Sequence, residues 1–233
     1  MFVLCGGLGT RLRDKVGELP KSLAPIGHIP FLQFILEHWV QNKITNFVFL
    51  LGYKSDLIIN YLEEVNTSIF SDCHFDYVVE AKPLGTGGAV ANAIIQLEFE
   101  GNFFLINSDT WLGAELDIFL EAESPCLGLI HLENTERYGR VEMDESKRIL
   151  SFTEKNPSKN AGFINSGLYL FHSELFQEWD GNPSSLEKHY LVKFAKKGIL
   201  NGLELNSSFI DIGIPKDYEF FKKNYQRIIN ETL

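Results

Sequence analysis

Several residues in this chain are of types and spacings that suit the handling of phosphate. Gly6-Gly7-Leu8-Gly9-Thr10-Arg11 follows the apolar run Phe2 to Cys5 directly. Glycines let consecutive backbone N–H groups converge on phosphate oxygens with no Cβ in the way. A guanidinium such as that of Arg11 can grip two oxygens at once. Arg13, Lys15 and Lys21 come next, so the stretch Leu4 to Ile26 has the character of a pocket for something anionic. Lys21, in a Pro20-Lys21 step, stands where the chain can return to the same loop. Asp109, in Asn107-Ser-Asp-Thr110, closes the run Phe103 to Ile106 and emerges at a strand end. The plainer alternatives are a glycine turn with no ligand, a solvated lysine, and an aspartate that caps or turns.

Such residues need elements to bring them to one edge. Phe2 to Cys5, Phe47 to Leu51, Phe75 to Glu80 and Phe103 to Asn107 have strand character. Phe31 to Asn42, Asp56 to Val65 and Gly88 to Leu97 have helical periodicity. Strand and helix in alternation predict parallel pairing with right-handed crossovers, hence a doubly wound, mostly parallel α/β sheet of Rossmann-like type. In such a sheet the loops leaving the C-terminal strand ends line the ligand crevice. After residue 125 closely spaced β runs take over: Leu127 to Leu132, Gly139 to Met143, Ile149 to Glu154 and Phe163 to Phe171. These predict an added mixed β region, followed by helices over about Leu186 to Lys197 and Lys216 to Ile229. With no internal repeat or linker, the chain reads as one domain of two functional lobes, about 1–110 and 111–233.

The 233 residues are 45% hydrophobic and 22% charged, an ordinary globular composition. A formal net charge of −10 gives no general attraction to nucleic acid or to anionic membrane. Cys5, Cys73 and Cys126 form no CxxC pair and fit reduced thiols in the cytoplasm. No apolar run reaches membrane-spanning length, and the first is too short for a signal peptide. The six histidines show no metal-ligand spacing and no Ser/His/Asp arrangement. Phe31, Phe34 and Trp39 follow helical spacing, as core residues do.

The glycine loop lacks the third glycine of a dinucleotide fingerprint and the Gly-Lys-Ser/Thr of a Walker A loop. Gly-Gly-x-Gly-Thr-Arg-Leu with Lys21 nine residues on instead resembles the signature of the sugar-phosphate nucleotidyltransferases, the nucleoside-diphosphate-sugar pyrophosphorylases. Later landmarks follow in order: Glu80-Ala-Lys-Pro-Leu-Gly-Thr-Gly-Gly-Ala89, Asn107-Ser-Asp-Thr110, Tyr138-Gly-Arg-Val141, Phe152-Thr-Glu-Lys155, Asn165-Ser-Gly167 and Phe209-Ile-Asp-Ile-Gly-Ile-Pro-Lys-Asp-Tyr218. The resemblance therefore covers nearly the whole chain. YGRVE, FINSGLYLF and FIDIGIPKDY resemble the heptose 1-phosphate guanylyltransferases first and the mannose 1-phosphate guanylyltransferases next.

The resemblance implies the nucleotide-diphospho-sugar transferase fold, with a nucleotide-binding half and a sugar-phosphate-binding half. It also implies attack by a sugar 1-phosphate on the α-phosphorus of a nucleoside triphosphate, giving a nucleoside-diphosphate sugar for surface glycans such as capsule or lipopolysaccharide. Leu4, Gly6, Gly7, Gly9 and Thr10 would cradle the triphosphate, with Arg11 and Lys21 catalytic. Asp109 and Asp211 would hold Mg²⁺, which keeps octahedral oxygen coordination. The family's usual glycine before that first aspartate is Ser108 here, a side chain in a tight place. Glu80, Gly85, Thr86 and Gly88 would wrap the nucleobase. A carboxylate only accepts hydrogen bonds, and guanine offers two neighbouring donors, so Glu80 tilts the choice toward GTP. Gly139, Glu154 and Asn165 would hold sugar hydroxyls, and Lys155 the sugar phosphate.

Pro215 fits the first turn of the last helix. The sequence stops soon after the Asp211 element, so regulation or acetyl transfer by a hexapeptide-repeat domain is not expected, while a slightly truncated start and a homodimeric assembly both stay open. Two rivals stay open: a catalytically silent nucleotide-sugar binding protein, and a dinucleotide-dependent oxidoreductase, which the absent third glycine disfavours.

Overall fold

The structure is a computed structural model that describes residues 1–7, 9–153 and 160–231. Two compact units interleave along the chain. The first takes Met1–Pro83, Asn107–Gly113 and the chain from Ser208 onward; the second takes Leu84–Ile106 and Ala114–Ser207.

In the first unit the strand Asn46–Leu51 lies between Phe2–Leu4 and His74–Val79 and runs parallel to both. Parallel strands covered on both faces need unbroken apolar runs, and Phe47, Phe49, Leu50 and Leu51 are all buried. Phe75 meets Phe47 and Phe49 edge-on at ring-centroid distances of 5.7 and 5.2 Å. The helix Phe31–Gln41 buries Phe31, Phe34, Ile35 and Trp39, the face that its spacing predicts. It packs on the last helix, Pro215–Asn230, where Phe221 meets Phe31 at 5.0 Å and Phe34 at 6.0 Å. Each fully buried ring contributes roughly 1.5–3 kcal/mol. The carboxyl-terminal segment is therefore held in the first unit by its apolar face, with Pro215 at the helix start.

The second unit is built on the long strand Gly162–His172. It pairs antiparallel with Asn102–Asn107, Cys126–Leu132 and Arg140–Met143, and Ile149–Thr153 extends the sheet beyond Arg140–Met143. The strand Asn201–Glu204 runs parallel to Cys126–Leu132. Its sequence, Asn-Gly-Leu-Glu, carries no β-forming pattern. Packing makes it a strand: a Cβ on Gly202 would come within 2.8 Å of both Leu129 Cδ1 and Met143 Sδ. Where one helix is expected from Leu186 to Lys197, a π-helical segment, Leu186–Leu191, leads into the α-helix Val192–Lys196.

All three cysteines are buried and free. Burial pushes the Cys5 thiol up to about 12, opposed by its hydrogen bond with Ser108 and reinforced by nearby Asp109. Burial likewise raises Cys126 to about 11. A thiol whose pKa is raised stays protonated at mildly alkaline pH, and the thiolate is the nucleophile. Iodoacetamide at pH 8 should therefore leave Cys5 and Cys126 unmodified in the folded protein and modify both in denaturant. Rapid native labelling of either, read by mass spectrometry, would contradict this account of their burial.

Candidate active site

The centre of the first unit is assembled by two very short strands. Thr110–Leu112 and Phe209–Asp211 pair antiparallel, with Asp211 opposite Thr110, Ile210 opposite Trp111 and Phe209 opposite Leu112. Ile212 N–H donates to the Asp109 carbonyl at 3.0 Å, and Gly113 N–H to the Ser208 carbonyl at 3.0 Å. Trp111 is buried against His38 and Phe221, and its indole N–H donates to Ser208 Oγ at 3.1 Å. Asp109 and Asp211, far apart in sequence, thus become neighbours.

Lys21 lies between them. It opens a single 3₁₀ turn, Lys21–Leu23, after Pro20. The following backbone is pinned where Phe31 N–H donates to the Ala24 carbonyl at 2.9 Å and Tyr218 Oη donates to the Pro25 carbonyl at 2.6 Å. The Lys21 ammonium donates to Asp109 Oδ2 and stands 3.6 Å from Asp211 Oδ1. Its side chain is 12% exposed. A Cβ on Gly213 would run into Lys21 Nζ, while Gly213 N–H donates to Asp211 Oδ1 at 2.8 Å. Two carboxylates at one point repel, and the ammonium compensates that repulsion.

The glycine loop closes on the same lysine. Gly9 is left-handed, with φ +58°, and a Cβ there would lie 3.2 Å from Lys21 Cβ. A Cβ on Gly7 would meet nothing within 4 Å, which leaves its backbone open to a ligand. Thr10 and Arg11 are exposed on a 3₁₀ turn anchored by fully buried Leu12. Arg11 makes no ion pair among the described residues. Lys15 does not join this cluster: it pairs with Glu219 of the last helix at 3.2 Å. The Leu4 carbonyl accepts from both Ser108 Oγ, at 2.7 Å, and Ser108 N–H, at 3.2 Å. Ser108 is accommodated because its hydroxyl ties the first strand to the loop that carries Asp109.

Glu80 follows the strand His74–Val79, and its carboxylate comes beside Gly6: a Cβ on Gly6 would be 3.3 Å from Glu80 Oε1. It also comes beside Gly52, which sequence reasoning passed over. The only signal for Gly52 was its position directly after the buried strand Asn46–Leu51.

In the second unit, Gly85, Thr86 and Gly88 open the helix Gly85–Gln96. This turn is locked to the segment from Ser184 to Tyr190. Gly87 and Gly88 N–H donate to the Ser184 carbonyl at 2.9 and 3.1 Å. Thr86 Oγ1 accepts from Leu186 N–H at 2.8 Å and donates to Glu187 Oε2 at 3.0 Å. A Cβ on Gly87 would lie 2.6 Å from the Tyr190 ring. The Thr86 hydroxyl and the Gly88 amide are thus engaged within the protein. Among the sugar-side residues, Asn165 Nδ2 donates to Tyr169 Oη at 2.8 Å and its Oδ1 accepts from Gly167 N–H at 2.8 Å. Arg140 pairs with Ile164, and Gly139 directly precedes that paired strand, as Asn165 directly follows Ile164. Arg140 itself is a further cation here, its guanidinium close against Gly162. Glu154 and Lys155 lie outside the described residues.

The donor set of Asp109 and Asp211 fits Mg²⁺, which takes one or two carboxylates and completes its shell with water and phosphate oxygens. The ammonium between them is a stand-in cation at that point. Among the described residues, no group of three or more His, Cys, Asp or Glu gathers into a fuller protein cage.

This fold and site define a nucleotidyltransferase: residues 1–226 match the Nucleotidyl transferase family, and the chain belongs to it. Over 96% of its length it is 34% identical to the D-glycero-alpha-D-manno-heptose 1-phosphate guanylyltransferase of Campylobacter jejuni, spanning 98% of that protein. It is 35% identical to the enzyme of the same name from Aneurinibacillus thermoaerophilus, over 98% of this chain and 99% of the relative. Among solved structures, HddC from Yersinia pseudotuberculosis matches with a TM-score of 0.85 and 31% identity, over 96% of this chain and 98% of that one. HddC has also been solved complexed with GMP-PN.

Replacing Lys21 with methionine should leave the two carboxylates facing each other and lower the melting temperature, a loss of about 1–3 kcal/mol for a partly exposed cluster. Millimolar Mg²⁺ should restore stability in Lys21→Met far more than in the wild type. Equal melting temperatures with and without Mg²⁺ in both proteins would refute the shared-cation geometry.

Proposed function

We propose that this chain transfers the guanylyl group of GTP to a heptose 1-phosphate, forming a GDP-heptose and pyrophosphate for a surface glycan. The observation that carries the reading is the Lys21 ammonium set between Asp109 and Asp211 beside the glycine loop, in a chain that shares full-length similarity with heptose 1-phosphate guanylyltransferases.

A phosphate monoester is already a charged nucleophile, so no enzyme-bound covalent intermediate is needed. A sugar-phosphate oxygen bonds to the α-phosphorus as the bond to the bridging oxygen of the β-phosphate breaks, and pyrophosphate leaves with that electron pair. Two anions must be brought into line and their charge offset. Gly6, Gly7 and Gly9 present backbone donors to the triphosphate, and the exposed Arg11 grips its oxygens. Lys21 counters the charge that gathers on the reacting phosphates. Asp109 and Asp211 would hold Mg²⁺, which supplies Lewis-acid stabilisation of phosphoryl oxygens when bound. Glu80 accepts from guanine N1–H and the exocyclic amino group.

Gly139 and Asn165 serve the sugar, and by resemblance Glu154 and Lys155 serve its hydroxyls and phosphate. No helix among the described residues is long and apolar enough to cross a membrane. The buried free thiols suit a cytoplasmic setting, and we take a homodimer as the working assembly.

Asp109→Asn and Asp211→Asn should each cut turnover by about 10² or more with the fold intact, because charge leaves the metal site while volume stays. Activity that survives excess chelator, or full activity in either variant, would remove the metal from the mechanism.

Pyrophosphate release assayed over four nucleoside triphosphates and a panel of sugar 1-phosphates, mannose 1-phosphate included, tests the specificity. GTP with a heptose 1-phosphate should give the highest kcat/KM. Glu80→Gln should weaken the preference for GTP over UTP, with roughly 1–3 kcal/mol at stake. A wild type that favours UTP would overturn the base assignment.

A further inference from the structure

The proposed base-reading side chain, Glu80, depends on an atom that its neighbour lacks. Glu80 N–H donates to the Leu51 carbonyl at 2.9 Å, so its side chain leaves the sheet beside the residue after Leu51, which is Gly52. A Cβ placed on Gly52 would lie 2.5 Å from Glu80 Oε1 and 3.2 Å from Glu80 Cδ. On the other side, the Cβ position of Gly6 is 3.3 Å from the same oxygen. The carboxylate thus rests in a notch between two α-carbons that carry no side chain, one on the phosphate loop and one on the loop after Asn46–Leu51.

Gly52 is absent from the positions with left-handed backbone. Nothing in its conformation demands glycine, and alanine can adopt it without strain. What an alanine would meet is the carboxylate, the far end of a flexible side chain, and it would have to move aside, because real Cβ atoms do not approach an oxygen to 2.5 Å.

We propose that Gly52 is a specificity-determining residue, which by lacking a Cβ seats the Glu80 carboxylate where it can accept two hydrogen bonds from a guanine edge. The inference rests on the reading of Glu80 as the base acceptor. Any larger residue at 52 pushes the carboxylate aside, and a displaced carboxylate keeps at most one of two adjacent donors. A pyrimidine never offers two adjacent donors, so it has less to lose. Gly52 touches no reacting atom and acts only by positioning Glu80.

A double-mutant cycle separates this positioning role from general damage. The measurements are kcat/KM for GTP and for UTP in the wild type, Gly52→Ala, Glu80→Ala and the double variant, with a melting temperature for each. Gly52→Ala should lower the GTP-to-UTP ratio about tenfold while UTP itself changes less than about twofold, the scale of one lost hydrogen bond to substrate. In the Glu80→Ala background the same substitution should change nothing further, since the atom it collides with is gone. If Gly52→Ala alone fails to fold, the double variant should fold again.

Additive losses would instead place the collision on the Gly6 carbonyl, 3.2 Å from the same Cβ position, and overturn the proposal. So would a ratio unmoved by Gly52→Ala while Glu80→Ala shifts it. A ratio unmoved by Glu80→Ala itself would show that the base reading has failed, and this inference with it.

Discussion

The Lys21 ammonium held between Asp109 and Asp211 is the interaction on which the rest of the first unit depends. Two like charges about 4 Å apart near a protein surface repel by on the order of 4 kcal/mol. A pair of three-residue strands offers little with which to oppose that. A cation at the meeting point turns the repulsion into attraction to a common centre. It also requires three separate stretches of chain to arrive together: the turn after Pro20, the loop after Asn102–Asn107 and the strand Phe209–Asp211.

Bringing them together constrains the surroundings closely. Gly213 has no Cβ because the ammonium occupies that space, and Gly9 takes a left-handed turn against the stem of the same lysine. Tyr218 holds the backbone after Lys21 through the Pro25 carbonyl, which couples the packing of the last helix to the position of the charge. Burying Phe221 and Trp111 supplies the free energy that keeps Phe209–Asp211 in place. The apolar core of this unit thereby acts on the chemistry through geometry alone.

The cations near the amino terminus divide into separate tasks. Lys21 is enclosed with the carboxylates, Lys15 secures the last helix through Glu219, and Arg11 stands exposed beside open glycine backbone. In the second unit the turn at Gly85 to Gly88 is rigid because its amides and the Thr86 hydroxyl are bonded to the segment from Ser184 to Leu186. Thr86 and Gly88 therefore shape the turn through these internal bonds.

What the sequence determined by itself were the features that periodicity and local composition encode. The helix Phe31–Gln41 and the strand Asn46–Leu51 have their boundaries written in runs of apolar residues. The glycine loop and the isolated Asp109 announce themselves by residue type. Tertiary structure decided the rest. Asn201–Glu204 is a strand because Leu129 and Met143 pack against a residue with no side chain, and Thr110–Leu112 and Phe209–Asp211 are too short to show a period. That Asp211 belongs beside Asp109 was legible only through resemblance to a family, since no local pattern links positions so far apart. Gly52 shows the limit most plainly: its importance is a distance to another residue's carboxylate, and a distance across the fold leaves no mark on the spacing of residues along the chain.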